Sequence, residues 1–154
     1  MNPGVQEPMN ARYPLLVLAF GAVVTTVATA QQNQYQQQIQ SQLTRAAAAV
    51  KQQGYSADRQ PMMGSLNDDA DESVMIQLTG GVHYAIVGAC DNDCTDVDLQ
   101  LFTNEGNKLA EDLETDDKPV LEFTAPYTGQ YRMKVLMPTC NTNPCYYGVQ
   151  VFTK

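Results

Sequence analysis

Four carboxylates crowd into the segment CDNDCTDVD, at Asp91, Asp93, Asp96 and Asp98. Calcium takes six to eight hard oxygen ligands at ~2.3–2.6 Å, so these acids are the candidate metal ligands, and a Cys90–Cys94 bridge would hold the first two near each other. The spacing is not that of a helix-loop-helix calcium loop, whose glycine and distal glutamate are missing at the required offsets. A second reading stands beside it: Asp96 and Asp98 cap the start of a strand and accept bonds from backbone amides of the loop, as short acidic side chains commonly do. Asp112, Asp116 and Asp117 form another acidic loop, which strand counting sets at the opposite end of the molecule from Asp91.

Catalytic chemistry finds little to build on. Nucleophilic hydrolysis needs a base within hydrogen-bond reach of the nucleophile and a third group to orient it, and His83 is the only histidine. It falls inside a strand pattern, where an ordinary hydrogen-bonded or half-exposed histidine is the plainer reading. Neither G-x-S-x-G nor H-E-x-x-H occurs, and there is no Gly-rich phosphate loop. The chain has no Trp to form a sugar platform. No catalytic residue is assigned; a non-enzymatic chain is expected, with calcium the one candidate cofactor and a small hydrolase the remaining enzymatic reading. Tyr127 and Tyr146 are candidates for a binding face, since tyrosine offers a flat apolar body with a polar tip. Tyr131 and Tyr147, which share strand periodicity with core positions, read as packing.

These residues need a scaffold, and the chain describes one in order. Residues 14–30, PLLVLAFGAVVTTVATA, follow Arg12 and end in small side chains, so residues 1–30 read as a cleaved signal peptide with a mature start at Gln31. A membrane anchor would need ~20 apolar residues. Met9 is an alternative start, because MNAR followed by PLLVLAF makes a tidier leader. The net charge of −8 disfavours nucleic acid and anionic lipid as partners. A periplasmic or secreted location is expected, with an extracellular or periplasmic protein or polysaccharide as the partner class.

Residues 31–59 open Gln- and Ala-rich. Tyr35, Ile39, Leu43, Ala46, Ala47 and Val50 recur every three or four positions, which predicts an amphipathic helix over about 34–53, ended by Gly54. Its stripe either packs on the chain's own sandwich or meets a second copy through Ile39, Leu43, Ala46 and Val50; too few heptads favour a coiled coil. Residues 55–61 read as a polar linker. From about residue 60 the period changes to two. MMGSL is a short edge strand, NDDADE a turn, and Gly80-Gly81 a hairpin turn after Val74, Ile76 and Leu78. VHYAIVGA, apolar on both sides, is a central strand covered by the opposite sheet and the helix. Val97, Leu99 and Leu101, then Leu121 and Phe123, then Tyr131, Met133 and Val135, then Tyr147, Val149 and Val151 point inward. The fold class is all-β: an antiparallel, jelly-roll-like sandwich of about seven strands behind one helix.

Four cysteines in an exported chain are expected as disulfides. Strands over 82–89, 96–103, 119–124, 129–137 and 146–153 that each reverse direction place Cys90 and Cys94 at one end and Cys140 and Cys145 at the other. Bridges span Cα separations of ~4.4–6.8 Å, so the expected pairs are Cys90–Cys94 and Cys140–Cys145. The same distance argues against a four-thiolate zinc site.

Over residues 60–152 the ordered set GSL, GGVHYAIVG, DVDLQLF, EGNKLAEDLETDDKPVLEF, APYTGQYRMKV and CYYGVQVF resembles the bacterial pre-peptidase C-terminal domain. That resemblance implies a non-catalytic sandwich serving localisation, surface or matrix binding, or secretion, with relatives similar to calcium-using collagen-binding domains. Residues 1–59, read as a leader, a helix and a linker, stand before the sandwich where that family is expected to carry a peptidase, and two cysteine pairs are added.

Overall fold

The computed structural model describes Met1 and residues 25–154, with side chains described from Gln34 onward. Helix α1 spans Thr25–Gln52. It begins earlier than the apolar spacing predicts because the preceding Ala, Thr and Gln residues include no helix breaker, and Ala and Gln favour a helix. It therefore runs through the expected cleavage point; the apolar run before Thr25 lies outside the described residues. Gly54, with φ of 93°, takes the left-handed conformation that closes a helix. The Tyr55 amide turns back to the Val50 carbonyl at 3.2 Å.

Nine strands follow among the described residues: β1 (Ser56–Ala57), β2 (Met62–Leu66), β3 (Ala70–Leu78), β4 (His83–Cys90), β5 (Cys94–Thr103), β6 (Lys108–Asp112), β7 (Val120–Thr124), β8 (Gly129–Cys140) and β9 (Cys145–Thr153). They form two antiparallel sheets. One runs β1-β9-β4-β7, with β2 also paired to β9, and the other β3-β8-β5-β6. Period-two side chains fill the space between them: Leu78, Ile86, Leu99, Leu101, Tyr131 and Val151 are each at most 1% exposed. The expected sandwich is thus present.

β4 is central, as its two apolar faces require. Ile86 enters the inter-sheet core, while Ala85 and Val87 face Val50 and Phe152, and Ala89 meets Ile39 and Leu43 of α1. The helix stripe is accordingly occupied by the chain's own first sheet. Small residues lie beneath it; a Cβ on Gly148 would come within 2.5 Å of Ile39 Cγ2.

Several expectations are corrected. The two additional strands are β1 and β6. β1 recruits the expected linker, pairing Ser56 with Thr153 and Ala57 with Phe152, and Tyr55 beside it is buried. Only the first part of NDDADE turns, with Asp69 at φ 58°; Ala70, Asp71 and Glu72 already belong to β3, where their side chains remain at the surface or half-buried. Gly80 and Gly81 do not close a hairpin, because β3 pairs with β8 and β4 with β7 and β9; the glycines carry the chain from one sheet to the other.

The largest correction comes from β6. Thr103 and Asn107 close a tight turn around Gly106, at φ 91°, and β6 returns along β5 with Leu99 opposite Asp112. One further reversal inverts the direction of everything after it. β8 then brings Cys140 directly opposite Cys94, so both disulfides sit at the same end of the sandwich. The pairs are the expected ones, with Cα separations of 5.9 Å for Cys90–Cys94 and 5.7 Å for Cys140–Cys145. The distance between ends is not what selects them.

Candidate functional site

Both disulfide loops project from the end where β4, β5, β8 and β9 begin or finish. Asp91 ties them together. Buried to 2% exposure, it accepts the Tyr146 amide at 2.8 Å and the Asp93 amide at 3.2 Å through its carboxylate, while its own amide donates to the Tyr146 carbonyl at 3.0 Å. Burial pushes its carboxyl above the ordinary aspartate value, and the two amides only partly offset this. Asn141 donates its amide to the Asp93 carbonyl at 2.8 Å. Asp68, in the β2–β3 turn, accepts the Cys140 amide at 2.7 Å and gives its own amide to Asn143 Oδ1 at 2.7 Å.

Three loops, 67–69, 91–93 and 141–144, are therefore cross-tied. What they expose is polar: Asn67, Asn92, Asn141, Thr142 and Asn143, with the two carboxylates of Asp68 and Asp69. The helix joins from the side. Tyr35 donates to Asp93 at 3.2 Å and stacks on Tyr146 with ring centroids 5.0 Å apart; Gln38 bonds Asn92, and Gln42 donates to the Cys90 carbonyl at 2.7 Å. A cleft of about 140 Å³ lies between Gln36, Ile39, Gly64, Ser65 and Tyr146. This is below the ~300–1,000 Å³ of small-molecule sites, and a shallower, more open cleft of about 420 Å³ adjoins it at Gln36, Gln37, Gln40 and Met63.

The four acids predicted as one calcium set separate. Asp91 and Asp93 face the helix and β9, whereas Asp96 and Asp98 face the connection between β6 and β7. With β6 in place, that connection lies at the same end as Asp91, and the expected separation of the two acidic loops is corrected. The Val97 amide donates to the Asp116 carbonyl at 3.0 Å. Asp98 is raised to about 6 by burial first and then by the charges of Asp96, Asp112 and Asp116; Asp96 is raised by burial and by Asp116. Nor do Asp96 and Asp98 both act simply as amide caps: the Oδ1 atom of each is buried without a hydrogen-bond partner. Asp96 does take the Asp116 amide, as expected of a cap, and further amides are capped by Asp91, by Asp112, which accepts the Val120 amide at 2.8 Å, and by Asp116, which accepts the Lys118 amide at 2.7 Å. No three acidic, histidine or cysteine side chains among the described residues converge on one metal-sized point.

A scan against protein-family models and a search of curated proteins returned no match.

Tyr127 and Tyr146 do not share a face. Tyr146 belongs to the disulfide end. Tyr127 lies at the opposite end, stacked on Tyr131 at 5.2 Å and donating to Glu105 at 2.6 Å. Tyr131 returns its hydroxyl to the Tyr127 carbonyl at 2.7 Å, a local tie between β8 and the turn before it. His83 contacts Thr124 Oγ1 at 3.0 Å on the neighbouring strand and lies against Tyr55.

Sequence reading missed Tyr35, Gln42 and Asp68 as partners of the loop end, because a helix stripe and a turn carry no signal of distant contacts. Asp112 and Asp116 were findable. N-E-G-N before KLAED is a turn signal, and it announces β6.

Among the described residues no helix is long and apolar enough to cross a membrane. Two disulfides suit a chain kept outside the reducing cytoplasm.

Proposed function

We propose that this is an exported, non-catalytic sandwich of the pre-peptidase C-terminal type that binds a protein or polysaccharide surface outside the cytoplasm through its disulfide-tied end. The observation that carries this reading is the cross-tying of the 67–69, 91–93 and 141–144 loops by Asp91, Asp68 and two disulfides. Ordering mobile loops opposes association, and loops already held in place avoid that cost. The exposed side-chain amides of Asn92, Asn141 and Asn143 keep N–H donors, and the Oδ1 atoms of Asn92 and Asn143, each taking one bond within the protein, keep a second lone pair, which suits hydroxyl-rich polymers and peptide backbone alike.

Co-sedimentation with peptidoglycan sacculi and insoluble glucans, and biosensor measurements on immobilised matrix proteins, test it. At least one probe should bind, and the triple variant N92A/N141A/N143A should weaken that binding ten-fold or more while His83→Ala leaves it unchanged. Turnover of an ester, peptide or glycoside abolished by His83→Ala would replace this reading with a hydrolase. Mass spectrometry of the protein recovered from its native host tests export through a mature terminus at Gln31.

A further inference from the structure

We propose that the cleft between α1 and the start of β7 binds a small amphiphilic monocarboxylate, a medium-chain fatty-acid anion, with its alkyl chain against β4 and its head group on Arg45. The site is independent of the loop end assigned above to partner binding. It lies on the β7 side of α1, whereas the clefts at Gln36 and Met63 lie on the β2 side.

Helix α1 rests on β9 and β4, and a hollow of about 340 Å³ is left between it and β7. That volume falls at the small end of the ~300–1,000 Å³ of small-molecule sites. Short side chains make the room: Ala46 on the helix and Ala89 on β4 both line it. Val120 stands opposite Val87 in the β4–β7 register and is 43% exposed, which leaves an apolar side chain open at the cleft. Both walls are fixed. On the helix, Gln42 donates to the Cys90 carbonyl at 2.7 Å, and Leu43 and Val50 are buried. Across from it, the Gly88 amide donates to the Pro119 carbonyl at 2.8 Å, and Asp116 accepts the Lys118 amide at 2.7 Å. A Cβ on Gly88 would lie 2.7 Å from Pro119 Cγ, so glycine is what lets this wall sit so close to β4. Walls already in place spare a ligand the cost of ordering them.

The lining selects the ligand's body. Alanine and valine side chains reward the burial of an alkyl chain, and no aromatic ring among the described residues lines the cleft to stack on a sugar or a ring. Charge at the mouth selects the head. Lys118 is engaged by Asp117, so its aliphatic stem is what it offers the cleft. Arg45 is exposed and enters no ion pair among the described residues, in a chain where acids outnumber bases. A guanidinium holds a carboxylate through two parallel hydrogen bonds. The net charge of −8 opposes an anionic bilayer or polyanion, which would meet the whole surface, whereas a free monoanion meets only this local cation.

Titration calorimetry of the full chain reads the site, with sodium octanoate as the probe. Octanoate should saturate a single site, and 1-octanol and acetate should each bind about ten-fold more weakly or worse, since one lacks the charged head and the other the chain. Arg45→Glu, at an exposed helix position, should weaken octanoate by about ten-fold or more. Lys51→Glu, the same charge change on the same helix away from the cleft, should leave it unchanged. Should Arg45→Glu fail to fold, the amide resonances that octanoate shifts in the wild type must include those of Ala46, Val87 and Ala89. No binding at millimolar octanoate overturns the proposal, as does 1-octanol binding as tightly as octanoate, an undiminished affinity in Arg45→Glu, an equal loss in Lys51→Glu, or shifts that fall only elsewhere. Binding to phosphatidylglycerol vesicles by a chain indifferent to octanoate overturns it in favour of a membrane surface.

Discussion

Asp98 and Asp91, two buried acids of one segment, are both held above the ordinary aspartate value by burial, and they differ in the partners they find. Asp98 is pushed up to about 6 from an ordinary 3.8, so the folded chain holds its proton more tightly than the unfolded chain does. In chelated buffer its cost is absent below about pH 4, grows as pH rises through 6, and is complete above that. Stability should therefore fall over this interval by on the order of 1–3 kcal/mol, and D98N should flatten the slope in urea titrations run at successive pH values. Asp91 instead earns its burial through amides on two loops. Asp91→Ala leaves the Tyr146 and Asp93 amides without their acceptor and should cost about 1–3 kcal/mol in urea denaturation, with faster hydrogen exchange at both amides. The acidity of this segment was legible from spacing alone. Which acids would find donors was not, because Asp91 draws one of its two donors from β9, far along the chain.

Among the elements, α1 and β6 mark the limits of periodicity. The stripe of Ile39, Leu43 and Val50 was readable because one face of a long helix repeats its pattern, and so were the strands in which Leu99, Tyr131 and Val151 alternate with polar neighbours. β6 escaped because an edge strand of mixed exposure, KLAED, has only a faint alternation; its turn was the better signal. That omission set Cys140, Asp112 and Asp116 at the wrong end of the molecule while leaving the fold class intact. The seating of α1 can be tested at its narrowest point. Gly148→Val would press side-chain atoms into Ile39, Met63 and Leu43, and should cost about 1–3 kcal/mol. Protease digestion should then cut within α1 before the sandwich. Leu43→Ala, which loosens the same contact by leaving a cavity, should cost about 2–5 kcal/mol with the same cleavage pattern.

For the whole molecule, the shared end of the two disulfides matters more than their number. Cys94 and Cys140 are register neighbours, so the native pairs are favoured by closeness along the chain, where short loops close at least entropic cost. Each bridge closes only a few residues, and the chain-entropy relation gives about 2 kcal/mol for such a loop. C140A/C145A should lose about that much in urea denaturation under oxidising conditions, and peptide mapping of the wild type should recover Cys90 with Cys94. The direction of α1 has a practical corollary. Tyr35 and Gln38 touch the loops, while Val50 and Tyr55 lie near the far end, where the Lys154 amide bonds the His83 carbonyl at 3.0 Å. The helix from Thr25 to Tyr35 rises about 15 Å, leading upstream residues away past the asparagine-rich rim. An affinity tag or fluorescent fusion joined directly before Gln31 would crowd that rim, whereas one joined after Lys154 would hang from the opposite pole and leave it open for capture experiments.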